Sequence, residues 1–227
     1  VTQPVKVEDP IRSAMVELIK GDAKDTALER TLASITGSAV ELIDGVDFAD
    51  VLVMHGGEAR SVAATAALIV ELDAAQLSLA QGPCLEAAAR GAMIRCTDMR
   101  DEHRWPAFAA VAAAAGVRGT LSYQLIPHHN QLGALNLFGR EPRTVDRESE
   151  AMGALLATMA TVAMMTAVSM EQFKTALAGR DLIGQAKGIL MNHYTIDADR
   201  AFGMLRELSQ TGNIPLRTIA QRIIDTF

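Results

Sequence analysis

The sequence predicts an α+β fold: an antiparallel sheet flanked by helices, then a long connecting helix and a small three-helix bundle. Three observations carry that prediction. Residues 22–145 alternate short β-prone runs irregularly with helical runs and end in two strands a hairpin's length apart. Residues 151–170 are twenty consecutive positions without a charge. From residue 180 onward, three short apolar stripes recur at helical spacing. Composition agrees: of 227 residues, 49% are hydrophobic and 21% charged, which excludes wholesale disorder and a collagen-like fibre. Aromatics are only 4%, against 38 Ala and 11 Met, which argues for closely packed helices over an aromatic-rich β-sandwich.

In chain order, Asp22–Asp44 places Ala27, Leu28, Leu32, Ile35, Ala39, Leu42 and Ile43 on one helical face, and Gly45 stops it. Ala49–Met54 is a short β-prone run that turns at His55-Gly56-Gly57. Residues 58–70 read as a second strand. Gly82-Pro83 opens a short helix through Arg90 that ends at Gly91, and Met93–Cys96 is a brief strand. Trp105-Pro106 begins an alanine-rich helix that stops at Gly116. Val117–Ile126 and Gln131–Phe138 are strands around Pro127-His128-His129-Asn130, a connection of hairpin length. This order fits neither a repeating βα barrel nor a Rossmann array, and the chain has no Gly-x-Gly-x-x-Gly or Walker loop.

Fifteen of the twenty residues in 151–170 are Ala, Leu, Val or Met. Length and apolarity admit a membrane span. Alanine drives insertion weakly, however, and no aromatic or basic belt flanks the run. The favoured reading is a helix buried on more than one side, covering the sheet and meeting a second subunit.

The C-terminal pattern is sharper. Ile183, Ala186 and Leu190 form one stripe within Arg180–His193. Asp197 caps a second helix with Ala201, Phe202, Leu205 and Leu208, broken at Gly212-Asn213. Pro215 sits in the first turn of a third helix, on which Leu216, Ile219, Ala220, Ile223 and Ile224 share one arc.

Net charge is −6, unevenly placed. Residues 171–227 hold seven Lys/Arg and six Asp/Glu, or +1, which leaves −7 upstream. A non-specific polyanion binder is excluded, and any nucleic-acid contact belongs to the C-terminal quarter. Cys84 and Cys96 form neither a disulfide framework nor a CxxC pair, and Val1–Pro10 has no leader pattern; both point to the cytoplasm.

The run Ile183-Gly-Gln-Ala-Lys-Gly-Ile-Leu-Met191, then Ala201-Phe202…Leu205-Arg206, then Leu216…Ile219-Ala220…Ile223-Ile224 resembles the ANTAR domain. Upstream, Gly82-Pro83-Cys84-Leu85-Glu86-Ala87, Asp98, Arg104-Trp105-Pro106-Ala107-Phe108, Gly116-Val117-Arg118 and Gly133-Ala134-Leu135-Asn136-Leu137 resemble the GAF sensory domain of actinobacterial regulators. Gly119 departs from the serine expected there. The resemblance implies a GAF domain over residues 22–165 and an ANTAR domain over 166–227. It further implies a regulator of transcription antitermination that binds RNA as a dimer, recognising paired stem-loops with six-nucleotide loops and so preventing terminator formation. The joining helix, residues 151–180, would carry the homodimer contact. A small molecule bound between the sheet and its covering loops would be the signal; no cofactor is named.

Candidate RNA contacts are Lys187, Arg206, Tyr194, Arg217, Thr218, Gln221 and Arg222. Lys187 lies about 40° from Ile183 at 100° per residue, so its stem packs while its ammonium can reach a phosphate; a snorkelling surface lysine is the plain alternative. Arg206 borders the second stripe, with a salt bridge as the alternative. Tyr194 with His193 offers base stacking, against a simple helix end. The polar face of the last helix is RNA-facing or merely solvated. Gly188 in mid-helix suggests close approach, to another helix or to RNA, most readily the helix.

In the sensor half, Trp105, Tyr123 and Cys84 are the ligand-pocket candidates, each weighed against a core role. Asp98, Asp101, Glu102 and His103 match no standard metal site and read as a solvated loop, and His128-His129 as a turn. No nucleophile with its base is found, so catalysis is not expected. The competing functions are a DNA-binding repressor and a GAF-type sensor enzyme.

Overall fold

The computed structural model describes residues 27–55, 58–128, 131–142 and 146–227. The expected helix start over 22–26 and the hairpin tip at His129-Asn130 lie outside the described residues. Those described fall into two compact units that divide between Ala167 and Val168.

The first unit is built on five antiparallel strands: β1 (Phe48–His55), β2 (Glu58–Val62), β3 (Ile94–Cys96), β4 (Gly119–His128) and β5 (Gln131–Gly139), in the order β2-β1-β5-β4-β3. Its helices are α1 (Ala27–Leu42), α2 (Ala67–Leu79), α3 (Pro83–Arg90) and α4 (Pro106–Ala114), together with the start of α5 (Arg147–Tyr194). Pro83 and Pro106 open α3 and α4 where a missing N–H costs nothing, and Gly91 at φ 70° closes α3 in the left-handed conformation.

The sheet has two unlike faces. Register pairs Asp50 with Asn136 and Asn136 with Ser122, so these three form a row on one side. That side also carries Ile94, Cys96 and Phe138, packed with Ile69 and Leu72 of α2, Ala87 of α3, and Trp105 and Phe108 at the start of α4. Alternation puts Val51, Leu135 and Tyr123 on the opposite side. There the Tyr123 hydroxyl donates to the Glu150 carbonyl (3.1 Å), and Arg95 pairs with the Glu150 carboxylate (2.6 Å), which seats the start of α5.

One expectation is corrected: residues 58–70 are not a single strand. The strand ends at Val62 and Ala67 begins α2. The buried face of α2 is Ile69, Leu72, Asp73 and Gln76, so half its inward positions are polar and no side chain caps its start at Ala66. Both features hide a helix from a hydrophobicity pattern.

The second unit is a three-helix bundle: the end of α5, α6 (Ala198–Gly212) and α7 (Leu216–Thr226). Its core is Ala186, Leu190, Ala201, Leu205, Ile219 and Ala220, all buried. Asp197 caps α6 by accepting from the Arg200 N–H (2.8 Å), and Asn213 at φ 48° ends it. Pro215 stands just before the first residue of α7. The connecting segment and the first bundle helix are one 48-residue helix, α5, long and apolar enough by length and composition to cross a membrane.

Candidate functional site

The sensor unit holds a buried polar cluster that no apolar periodicity reveals. Asp50, Asn136 and Ser122 are fully buried in their row, and α2 covers them with Asp73 and Gln76, also buried. Asp50 accepts from the Ser61 hydroxyl (2.9 Å) and from the Asn136 amide (3.0 Å). Gln76 donates to Asp73 (3.2 Å), and its carbonyl accepts from the Cys84 N–H at the start of α3 (3.0 Å). Three buried oxygens, Asp73 Oδ2, Asn136 Oδ1 and Ser122 Oγ, have no hydrogen-bond partner.

Burial pushes both carboxyls up, Asp50 well above the usual range, where the neighbouring Asp73 charge adds to the effect. The Cys84 thiol is raised by burial and then by the charges of Asp73 and Asp50, so it stays protonated. Burial and the Glu102 carboxylate raise the Cys96 thiol to about 12. Neither sulfur is an activated nucleophile in these surroundings.

The three ligand candidates do not meet. Cys84 lies at the polar cluster. Trp105 belongs to the adjoining core, 5% exposed, with the Arg104 guanidinium 4.2 Å over its ring. Tyr123 is on the other face of the sheet, where it lines a cavity of about 290 Å³ with Met93, Gln124, Ala157, Thr158 and Thr161. Sequence order gives no face to a strand residue until register is known.

The Asp98–His103 loop is held by arginines. Arg118 pairs with Asp98 through two nitrogens, its hydrogen bonds holding that carboxyl to about 2, and Arg104 clasps Glu102 (2.6 Å). Among the described residues no group of three His, Cys, Asp or Glu could hold a metal ion.

In the bundle, Lys187 is half-buried beside Ala186, while Tyr194 and Arg206 are exposed. Lys187 and Tyr194 fall about 20° apart on α5 at 100° per residue, two turns along one side. Tyr194 meets the His193 ring edge-on (4.7 Å between centroids), and His193 also packs on Phe227 (4.6 Å). On α7, Arg217, Gln221 and Arg222 are exposed and Thr218 half-buried, with Gln221 donating to Asp225 (2.7 Å). Within this chain a Cβ at Gly188 would meet nothing within 4 Å. No helix of the described chain approaches it.

The GAF domain model matches residues 25–165 and the ANTAR domain model residues 171–224. No curated protein sequence matches the chain significantly. Similar solved structures include the photoproduct state of GAF3 from Slr1393 of Synechocystis sp. PCC6803, at 14% identity and TM-score 0.52, covering 65% of this chain and 99% of that one. Another is free methionine-R-sulfoxide reductase from Neisseria meningitidis in complex with its substrate, at 16% identity and TM-score 0.49, covering 70% of this chain and 90% of that one. At 14% identity the likeness to the Synechocystis domain is one of fold. The chain belongs to the GAF domain family and carries an ANTAR domain C-terminal to the GAF domain.

Proposed function

We propose that the protein is a cytoplasmic transcription antitermination regulator: the GAF domain senses a small molecule, and a dimer of the ANTAR domain binds RNA with two small hexaloop stem-loops. The observation that carries this is the ANTAR match falling on a closed three-helix core that keeps Arg206, Tyr194, Arg217 and Arg222 outside. With a net charge of only +1 over residues 171–227, binding must rest on a few placed cations. Lys187 and Arg206 are those cations, Tyr194 a stacking surface, and Arg217, Thr218, Gln221 and Arg222 a further polar face. Domain limits of 22–165 and 166–227 go with this reading.

Dimerisation is proposed through residues 151–180. Leu155, Met159, Val162 and Phe173 are exposed on α5 at steps of four, three and eleven residues, with exposed Thr166 and Ser169 between them at the same seam spacing. Leu156, Ala157 and Ala160 are buried instead, which supports protein rather than lipid around this stretch. A gel shift tests the function: a paired stem-loop RNA should bind, and duplex DNA of equal length should not. Preferential binding to the DNA would favour the repressor reading.

A further inference from the structure

The cavity beside Tyr123 lies wholly within the first unit, where α5 crosses the sheet. Strand pairing explains why it opens there. The β3–β4 ladder stops where Ile94 faces Ser122, so Tyr123 and Gln124 carry β4 onward with no strand paired on that edge. The chain entering β3, Gly91 to Met93, forms one wall, and Ala154, Ala157, Thr158 and Thr161 of α5 form another. At about 290 Å³ the space is near the lower end of small-molecule sites. Two polar groups of the lining are unused. A threonine inside a helix ordinarily donates to the carbonyl one turn back, as Thr158 does to Ala154 (2.8 Å) and Thr166 to Val162 (2.8 Å). Thr161 makes no such bond and has no other partner among the described residues, although it is only 7% exposed. Gln124 Nε2 is committed to the Ala88 carbonyl (2.8 Å). Gln124 Oε1 accepts from no described residue and stands 3.2 Å from where a Cβ on Gly91 would be, at the cavity wall.

We propose that this cavity binds a small uncharged molecule, an apolar body bearing amide or hydroxyl groups that donate to Gln124 Oε1 and accept from the Thr161 hydroxyl. The proposal rests on the sensor reading of the GAF domain and gives its ligand a place and a chemical class. No Asp, Glu, Lys, Arg or His lines the space, so an ion there would shed water with no opposite charge to meet it. A wholly apolar molecule would leave both polar groups without partners. The place is not the one expected between the sheet and its covering loops, since Trp105 and the row of Asp50, Asn136 and Ser122 lie on the other face. It adjoins the proposed dimer seam instead. Thr158 is about 60° from Leu155 on α5 at 100° per residue, so a bound molecule touches the flank of the helix that would carry the dimer contact.

The test titrates the full chain with benzamide and follows the melting temperature, with sodium benzoate as control at equal ionic strength. Benzoate has nearly the same shape, a charge and no N–H. Benzamide should raise the melting temperature by mass action and benzoate should not. Thr161→Val keeps the shape of the side chain and removes its hydroxyl, so benzamide affinity should fall about three- to tenfold with native circular dichroism retained. Ala154→Leu, at an exposed position of the lining, should fill the space and abolish the shift; it serves alone if Thr161→Val fails to fold. No benzamide shift, an equal shift with benzoate, or a shift unchanged in either folded variant would each overturn the proposal. No benzamide shift together with loss of the dimer in Ala154→Leu would assign the space to the second copy. The sensor reading fails separately, when benzamide binds yet alters neither sedimentation nor RNA affinity; that result still supports the site.

Discussion

Replacing Gly153 with Ala tests how firmly α5 is seated on the sensor sheet. A Cβ built at Gly153 stands 2.6 Å from Tyr123 Cζ and 2.7 Å from Cε2. Carbon pairs settle at about 3.5–4 Å, so ring or helix must give by roughly 1 Å. The ring is tethered at its far end, because its hydroxyl donates to the Glu150 carbonyl one turn earlier. Overpacking of this kind costs about 1–3 kcal/mol, while the better helix propensity of Ala returns at most about 1 kcal/mol. The net effect is a loss of up to about 2 kcal/mol, or a fall of up to about 8 °C in melting temperature for a chain of this size. Thermal denaturation followed by far-UV circular dichroism measures it. Tyr123→Leu in the same chain should remove most of the penalty, since the clash is with the ring's far end. Should Gly153→Ala alone raise the melting temperature, α5 does not rest on Tyr123 and the seat described here is wrong.

Two further expectations concern the acid cluster and the helix seam. Asp50 and Asp73 have raised pKa values in the folded chain, so the folded state keeps a proton that the unfolded state releases above about pH 4. That contribution is present below the unfolded pKa and is lost as pH rises through the folded values, at up to about 1.4 kcal/mol per pH unit for each proton. Asp73→Asn should flatten a urea-denaturation profile between pH 5 and 8; a profile as steep as wild type would contradict the sign. Met159 and Met165 are 50% and 51% exposed in the single chain, so Asp at either position is harmless to a monomer and desolvated in a dimer. Sedimentation should show the variants shifted toward monomer, and unchanged sedimentation and melting would remove residues 151–180 from the interface.

The sequence made the bundle legible almost residue by residue, because Ala186, Leu190, Ala201, Leu205, Ile219 and Ala220 obey one helical period and their helix ends carry Asp197 and Asn213. The late hairpin and the Pro-started helices were equally readable, since turn and cap chemistry is local. The helix α2 was not: its buried face includes Asp73 and Gln76, and hydrophobic periodicity cannot see a helix that turns polar groups inward. The acid cluster was hidden for the same reason, and because Asp50, Ser122 and Asn136 become neighbours only through strand register. Of the ligand candidates, Cys84 lies beside that cluster and Tyr123 on the opposite face. No single-strand reading could have told them apart.

The central claim is that a few placed cations on the ANTAR bundle hold structured RNA, and the salt dependence of that affinity tests it most directly. Affinity for a paired stem-loop RNA is measured from 50 to 300 mM salt for the wild type, Lys187→Ala and Arg206→Ala. Each lost phosphate contact should lower the slope of log affinity against log salt by about 0.7–0.9, and a symmetric dimer should lose it twice. The account predicts weaker binding and a shallower slope for both variants, with helical circular dichroism intact and Lys20→Ala in the sensor half unaffected. Wild-type affinity and slope in both bundle variants would contradict it and move the RNA face elsewhere, with Arg217 and Arg222 on α7 next to be tested.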